Sequence, residues 1–174
     1  MIIVDLLYKE DEVVHFAALM SAPSYEQVSL SVGMERTTTL ELQKNKDSMK
    51  RIFEEAWSKG NVEVLDEVVA PTFKQHQYDR PSTREGFKAI IQEVRTAFPD
   101  LKVTLEDSVT ADDKVWMRVT CSGTHLGQFK GLPPTGRRFE ITEVHIGRFE
   151  NGKAVEHWGV ADISRLMEQL GVRR

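Results

Sequence analysis

A single cysteine, Cys121, stands in the 174-residue chain, so no internal disulfide can form and no multi-cysteine metal site can be assembled. A reducing, cytoplasmic setting is the corresponding expectation. No apolar run approaches the ~20 residues that cross a bilayer. The apolar stretches at residues 2–7 and 13–20 lack the positive leader and the unbroken core of a secretory signal. Concentrated basic charge is missing too. Lys and Arg number 23 against 27 Asp and Glu, for a net charge of -4, and the pairs Arg137-Arg138 and Arg173-Arg174 are too small to form the basic stripe of a nucleic-acid binder. The chain has no Gly-rich phosphate loop, no Gly-x-Ser-x-Gly and no paired-cysteine signature. Neither a cofactor nor a metal is expected, and neither nucleic acid nor membrane is an expected partner.

What is present describes one globular domain, with 40% hydrophobic and 29% charged residues. Residues 21–46 are rich in Ser, Thr, Gln and Pro with little periodicity, so residues 1–46 are expected to form an N-terminal appendage, partly disordered or packed on a partner. From Asp47 onward Met49, Ile52, Phe53, Ala56 and Trp57 recur at helical spacing until Gly60. Asn61 is placed to cap a short second helix ending at Pro71. A strand or extended segment carrying His76 follows. Ser82 and Glu85 have capping-box spacing ahead of a third helix over residues 84–98. The period then falls to two, predicting a long hairpin that turns at residues 111–114. A third strand over 139–150 meets a fourth through a type I′ turn at Asn151-Gly152, and a short helix closes the chain. The resulting expectation is an α+β domain over residues 47–174: a cone-shaped, curved antiparallel sheet covered by three N-terminal helices, with a short C-terminal helix.

The last hairpin carries the chemistry. A two-residue loop pairs Glu150 with Lys153, and an unbroken register then sets His145 opposite Trp158 and Ile141 opposite Asp162. One face would carry Glu143, His145, Phe149, Trp158 and Asp162. His157 would face the other side, which keeps the two histidines from converging on one metal ion. Glu143 and Asp162 become diagonal neighbours, ~7–8 Å apart. A carboxylate beside Trp158 and Phe149 loses hydration, which raises its pKa and suits it to remove a proton next to a carbonyl. His145 can then hydrogen-bond the oxygen on which charge develops. Two plainer roles compete: Asp162 is well placed to cap the last helix, and His145 can serve as a satisfied cross-strand partner of Trp158. Glu143 is harder to assign to structure alone, because an unpaired buried carboxylate costs several kcal/mol.

Three motifs, taken together, resemble the SnoaL-like polyketide cyclase or ester cyclase family of the nuclear transport factor 2-like superfamily. They are Ile52-Phe53-Glu54-Glu55-Ala56-Trp57 with Gly60-Asn61, the loop from Gly123-Thr124-His125-Leu126-Gly127 to Gly131-Leu132-Pro133-Pro134, and Gly152-Lys153-Ala154-Val155-Glu156-His157-Trp158 with Asp162 and Gln169-Leu170-Gly171. The resemblance implies a cofactor-independent intramolecular aldol cyclisation of a small hydrophobic, polyketide-like compound. Asp162 would be the acid–base residue, and His145, His76 and His125 would be polar contacts to the substrate in that order. It also implies a homodimer, since sheet faces in the superfamily commonly pair. A protein that only binds a small ligand through Glu143 and His145, and an epoxide hydrolase- or isomerase-like enzyme, are the alternatives on the same fold.

Overall fold

The computed structural model describes residues 38–77 and 82–172. Most of the expected appendage, residues 1–37, therefore lies outside the described residues, as does Tyr78. The first helix, α1 (Thr39–Arg51), begins before the expected boundary at residue 47. Thr38 and Glu41 form a capping box: the Thr38 N–H donates to Glu41 Oε2 at 2.8 Å, and the Glu41 N–H donates to Thr38 Oγ1 at 3.2 Å. The helix continues as a π-helix over Ile52–Ser58, where the Ser58 hydroxyl bonds the Phe53 carbonyl at 3.0 Å. A 3₁₀ turn (Val62–Val64) and a single turn, α2 (Leu65–Val68), lead into strand β1 (Val69–Gln75). Asn61 precedes that turn without a side-chain capping bond.

Helix α3 (Arg84–Ala97) is capped by Thr83, whose hydroxyl accepts from the Gly86 N–H at 3.0 Å. The expected cap, Ser82, is engaged elsewhere: its hydroxyl accepts from the Gln75 N–H at 2.6 Å and ties α3 to the end of β1. Strands β2 (Lys102–Ala111), β3 (Lys114–Thr124), β4 (Arg138–Glu150) and β5 (Lys153–Ala161) follow, and helix α4 (Ile163–Gln169) closes the domain. The sheet order is β1-β5-β4-β3-β2. Four strands are antiparallel, while β1 joins the edge parallel to β5, so the sheet is mixed rather than wholly antiparallel. Parallel pairing is available to β1 because α3 and the following hairpins separate it from β5 in the chain.

Asn151 and Gly152 both have positive φ, 53° and 79°, as a type I′ turn requires. Beyond the first two pairs the register slips. Phe149 pairs with Ala154, but Arg148 pairs with Glu156, leaving Val155 as the extra residue of a β-bulge. Every residue of β5 past Val155 is thereby turned over relative to an unbroken hairpin. His157 pairs with Gly147, Trp158 with Ile146, Gly159 with His145 and Ala161 with Glu143. This corrects the expected pairing of His145 with Trp158 and of Ile141 with Asp162.

One buried core joins the helices to the inner sheet face, with Met49, Phe53 and Ala56 against Phe73, Ile91, Val115, Met117 and Val119. Arg95 of α3 locks the helical layer to the start of β2. Its Nη1 donates to the carbonyls of Trp57 and Ser58, both at 2.8 Å, and of Leu101 at 3.3 Å, while Nη2 donates to Pro99 at 3.0 Å. Those carbonyls lie at the end of the π-helix and in the α3–β2 connection, where regular helical partners run out. Replacing Arg95 with Ala is expected to lower stability by about 2 kcal/mol, the scale of charge-assisted hydrogen bonds lost with their acceptors left behind. Urea denaturation reads this directly. Arg95→Lys should recover less than half, since an ammonium cannot fan across four carbonyls.

Candidate functional site

Between the helices and the inner sheet face lies a cavity of about 280 Å³, near the lower end of small-molecule pockets. Its wall is mostly apolar. Phe53 and Trp57 come from the π-helix, Ile90 and Val94 from α3, Ile141 from β4 and Leu166 from α4. Glu143 and His145 of β4 supply the polar group at the sheet, and Glu93 and Lys130 also line the cavity. A wide apolar wall with few convergent polar groups is the usual form of a small-molecule site.

Alternation along β4 sends Glu143, His145 and Gly147 inward, and the bulge at Val155 sends His157 to the same side. The four polar side chains then form a line. Glu143 Oε2 lies 2.9 Å from His145 Nε2. His145 Nδ1 lies 3.1 Å from His157 Nε2, and His157 Nδ1 lies 2.7 Å from Gln75 Oε1. The line starts at the cavity and ends at β1. His145 is 3% exposed and His157 7%, so both imidazoles work in a dry setting that strengthens their hydrogen bonds. The Phe53 ring covers His145 with centroids 4.7 Å apart. Gly159, opposite His145, leaves the space that the Gln77 amide and the His145 ring occupy. A Cβ there would stand 2.5 Å from Gln77 Oε1 and 2.8 Å from His145 Nδ1.

Burial, with the neighbouring His145 and then His76 adding to it, drives the His157 pKa well below its ordinary value and holds the ring neutral. Cys121, on β3, lines the same cavity, and its thiol is hydrogen-bonded to Glu143. Burial first, and the Glu143 carboxylate second, push that thiol far up, so it stays protonated. The two histidines share a face, contrary to expectation. Their ring nitrogens are engaged with Glu143, Gln75 and each other, and among the described residues no group of three or more His, Cys, Asp or Glu is arranged to hold a metal ion.

Of the residues singled out in the sequence, Glu143 and His145 meet at the cavity. Asp162 does not join them. It follows the end of β5, is exposed, and caps α4 by accepting from the Arg165 N–H at 2.9 Å; it borders a separate cleft with Arg137 and Arg165. Trp158 is carried to the outer face, where it stacks on His76 with centroids 4.8 Å apart and planes 3° from parallel. His76 is bonded there to Glu156 at 3.2 Å. His125 is fully buried against Phe98, and its Nδ1 accepts from the Thr135 N–H at 3.3 Å, which braces the β3–β4 connection. Phe149 is a core residue, 2% exposed, outside the cavity wall. Gln75 and Gln77 carried no signal in the sequence beyond alternation with His76.

His157 yields a measurable consequence. The unfolded chain protonates this histidine near pH 6.5, whereas the folded chain does so only well below that. Folding therefore excludes a proton, and stability falls as pH drops below that value, by up to about 1.4 kcal/mol per unit, while the contribution is flat above it. Urea midpoints measured across this range should show the slope, and His157→Gln should remove the His157 share of it. Equal slopes for the two proteins would contradict a buried neutral ring.

A family profile described as SnoaL-like polyketide cyclase matches residues 47–170. The nogalonic acid methyl ester cyclase of Streptomyces nogalater is 29% identical over 126 residues, 67% of this chain and 90% of that protein. An aklanonic acid methyl ester cyclase, DauD, of Streptomyces sp. strain C5 is 30% identical over 62% of this chain and 67% of its own length. Among solved structures, IdmH from Streptomyces antibioticus, described as a putative polyketide cyclase, superimposes with a TM-score of 0.64 at 35% identity, covering 74% of this chain and 99% of that one.

Proposed function

Since the chain belongs to the SnoaL-like polyketide cyclase family, we propose that its cavity closes a ring in a small polyketide-like carbonyl compound, with Glu143 and His145 as the acid–base pair. The observation carrying this reading is the 2.9 Å contact of Glu143 with His145 at the polar end of an otherwise apolar cavity. The side chain of Glu143 is 16% exposed and that of His145 4%, which leaves the carboxylate open to a ligand while the imidazole stays covered.

The reaction needs one proton to move twice. Glu143 takes a proton from the carbon next to a carbonyl, and the carbon–hydrogen electron pair becomes an enolate. That carbon attacks a second carbonyl carbon in the same molecule, forming the ring bond as the carbonyl π pair moves to oxygen. The alkoxide then recovers the proton from Glu143. Product and substrate have the same mass, and no redox partner enters the balance. A conjugated substrate spreads the enolate charge, so the protein's tasks are to position the chain, supply the base and keep water out. His145 stabilises whichever charge state of Glu143 each step requires.

Nogalonic acid methyl ester and aklanonic acid methyl ester are the test compounds suggested by the relatives' names. Conversion to a ring-closed isomer of unchanged mass is expected. Glu143→Gln should slow it by about 10²-fold or more, the usual scale for a lost general base. Asp162→Asn should leave turnover within about threefold and preserve the cap, because Asn caps as well as Asp. The reverse pattern would move the acid–base role to Asp162, the residue that the motif resemblance favours. Binding of both esters without conversion would support a carrier of small ligands, and solvent oxygen in the product would indicate a hydrolase.

A further inference from the structure

We propose that Gln75 and His157 are positioning residues that hold His145 with its proton on Nδ1, so that Glu143 and His145 share a single mobile proton facing the cavity. The inference rests on the acid–base reading for its catalytic meaning, but its geometry is independent of any substrate.

The direction of the hydrogen-bonded line is set at its far end. The backbone N–H of Gln77 donates to Gln75 Oε1 at 3.2 Å, which favours oxygen at that position even though the amide Nε2 is then buried without a hydrogen-bond partner. Rotating the amide would set a donor against a donor. Oxygen therefore faces His157 Nδ1 at 2.7 Å, and only a protonated Nδ1 can bond it. His157 is neutral, as its burial requires, so its Nε2 carries a lone pair and accepts. The atom that donates to it, 3.1 Å away, is His145 Nδ1. One proton on each Nδ1 follows in turn from one backbone amide just past the end of β1.

At the cavity end this leaves a single degree of freedom. His145 Nε2 and Glu143 Oε2 are 2.9 Å apart and need one proton between them. Either the carboxyl holds it and donates to a bare Nε2, or the imidazolium holds it and donates to a carboxylate. Both forms have zero net charge. The opposite polarity, with His145 protonated on Nε2 alone, would leave the pair with a net negative charge at a mostly apolar wall that also carries Glu93 and Lys130. Gln75 thus sets the charge of the proposed catalytic pair from the edge strand, two strands away on the same face. Gly159 permits this, since any side chain there would displace the His145 ring.

The test is the imidazole nitrogen spectrum of the full chain labelled with ¹⁵N-histidine, recorded without substrate from about pH 5 to about pH 9, the span in which histidines titrate. His157 is expected as the Nδ1–H tautomer throughout, and His145 with Nδ1 protonated throughout. Gln75→Leu should move His157 to the Nε2–H or a mixed tautomer and release the Nδ1 proton of His145. Gln75→Glu keeps an acceptor oxygen in place and should keep Nδ1 of His157 protonated, with the added carboxylate favouring the imidazolium, which separates loss of direction from loss of fold. A wild-type His157 protonated on Nε2, or tautomers indifferent to Gln75→Leu, would overturn the proposal. Failure of Glu143→Gln to slow turnover, with the nitrogen pattern as expected, would remove Glu143 from the acid–base role and leave the proton direction standing.

Discussion

The chemistry of this domain hangs on one unpaired residue, Val155. A two-residue turn alone would give β4 and β5 an unbroken register, with His157 on the outer face and Trp158 beside His145. The bulge inverts β5 from Glu156 onward, so that His157 enters the dry interior and Trp158 leaves it. The polar line behind the cavity then follows from contacts between paired strands: His145 reaches His157, and His157 reaches Gln75 on the neighbouring parallel strand. Period-2 geometry makes such a slip an all-or-none change of face.

Elements whose signals are local were legible in the sequence. The periodicity of α3, the two hairpins, the Asn151-Gly152 turn and the closing helix all read directly, because hydrophobic spacing and turn chemistry act over a few residues. Thr38 and Glu41 show that a local signal can also be passed over: their capping-box spacing marks the start of α1 inside what looked like an aperiodic leader. Ser82 shows the converse. Its spacing to Glu85 suits a cap, but a hydrogen bond to Gln75 recruits it and Thr83 takes the role.

The site was harder to read because its assembly is not local. Glu143 and His145 emerged from alternation along a single strand, which needs no knowledge of a partner. His157, Trp158 and Asp162 required the register of β5, and nothing in residues 151–162 marks the bulge. Gln75 required the parallel pairing of β1 with β5, a contact across 82 positions of sequence. The family resemblance carried the fold further than it carried the site, since a shared scaffold fixes where a pocket lies more firmly than which side chain acts in it.

Cys121 has one more consequence. It is the chain's sole thiol, it stands in the cavity wall, and burial together with Glu143 keeps it protonated. Only a thiolate attacks disulfides or climbs the ladder of sulfur oxidation at appreciable rates. The described domain accordingly offers oxidants no reactive thiol, and the proposed acid–base pair is built from oxygen and nitrogen alone. A shift in the redox poise of the surroundings leaves such a site as it was.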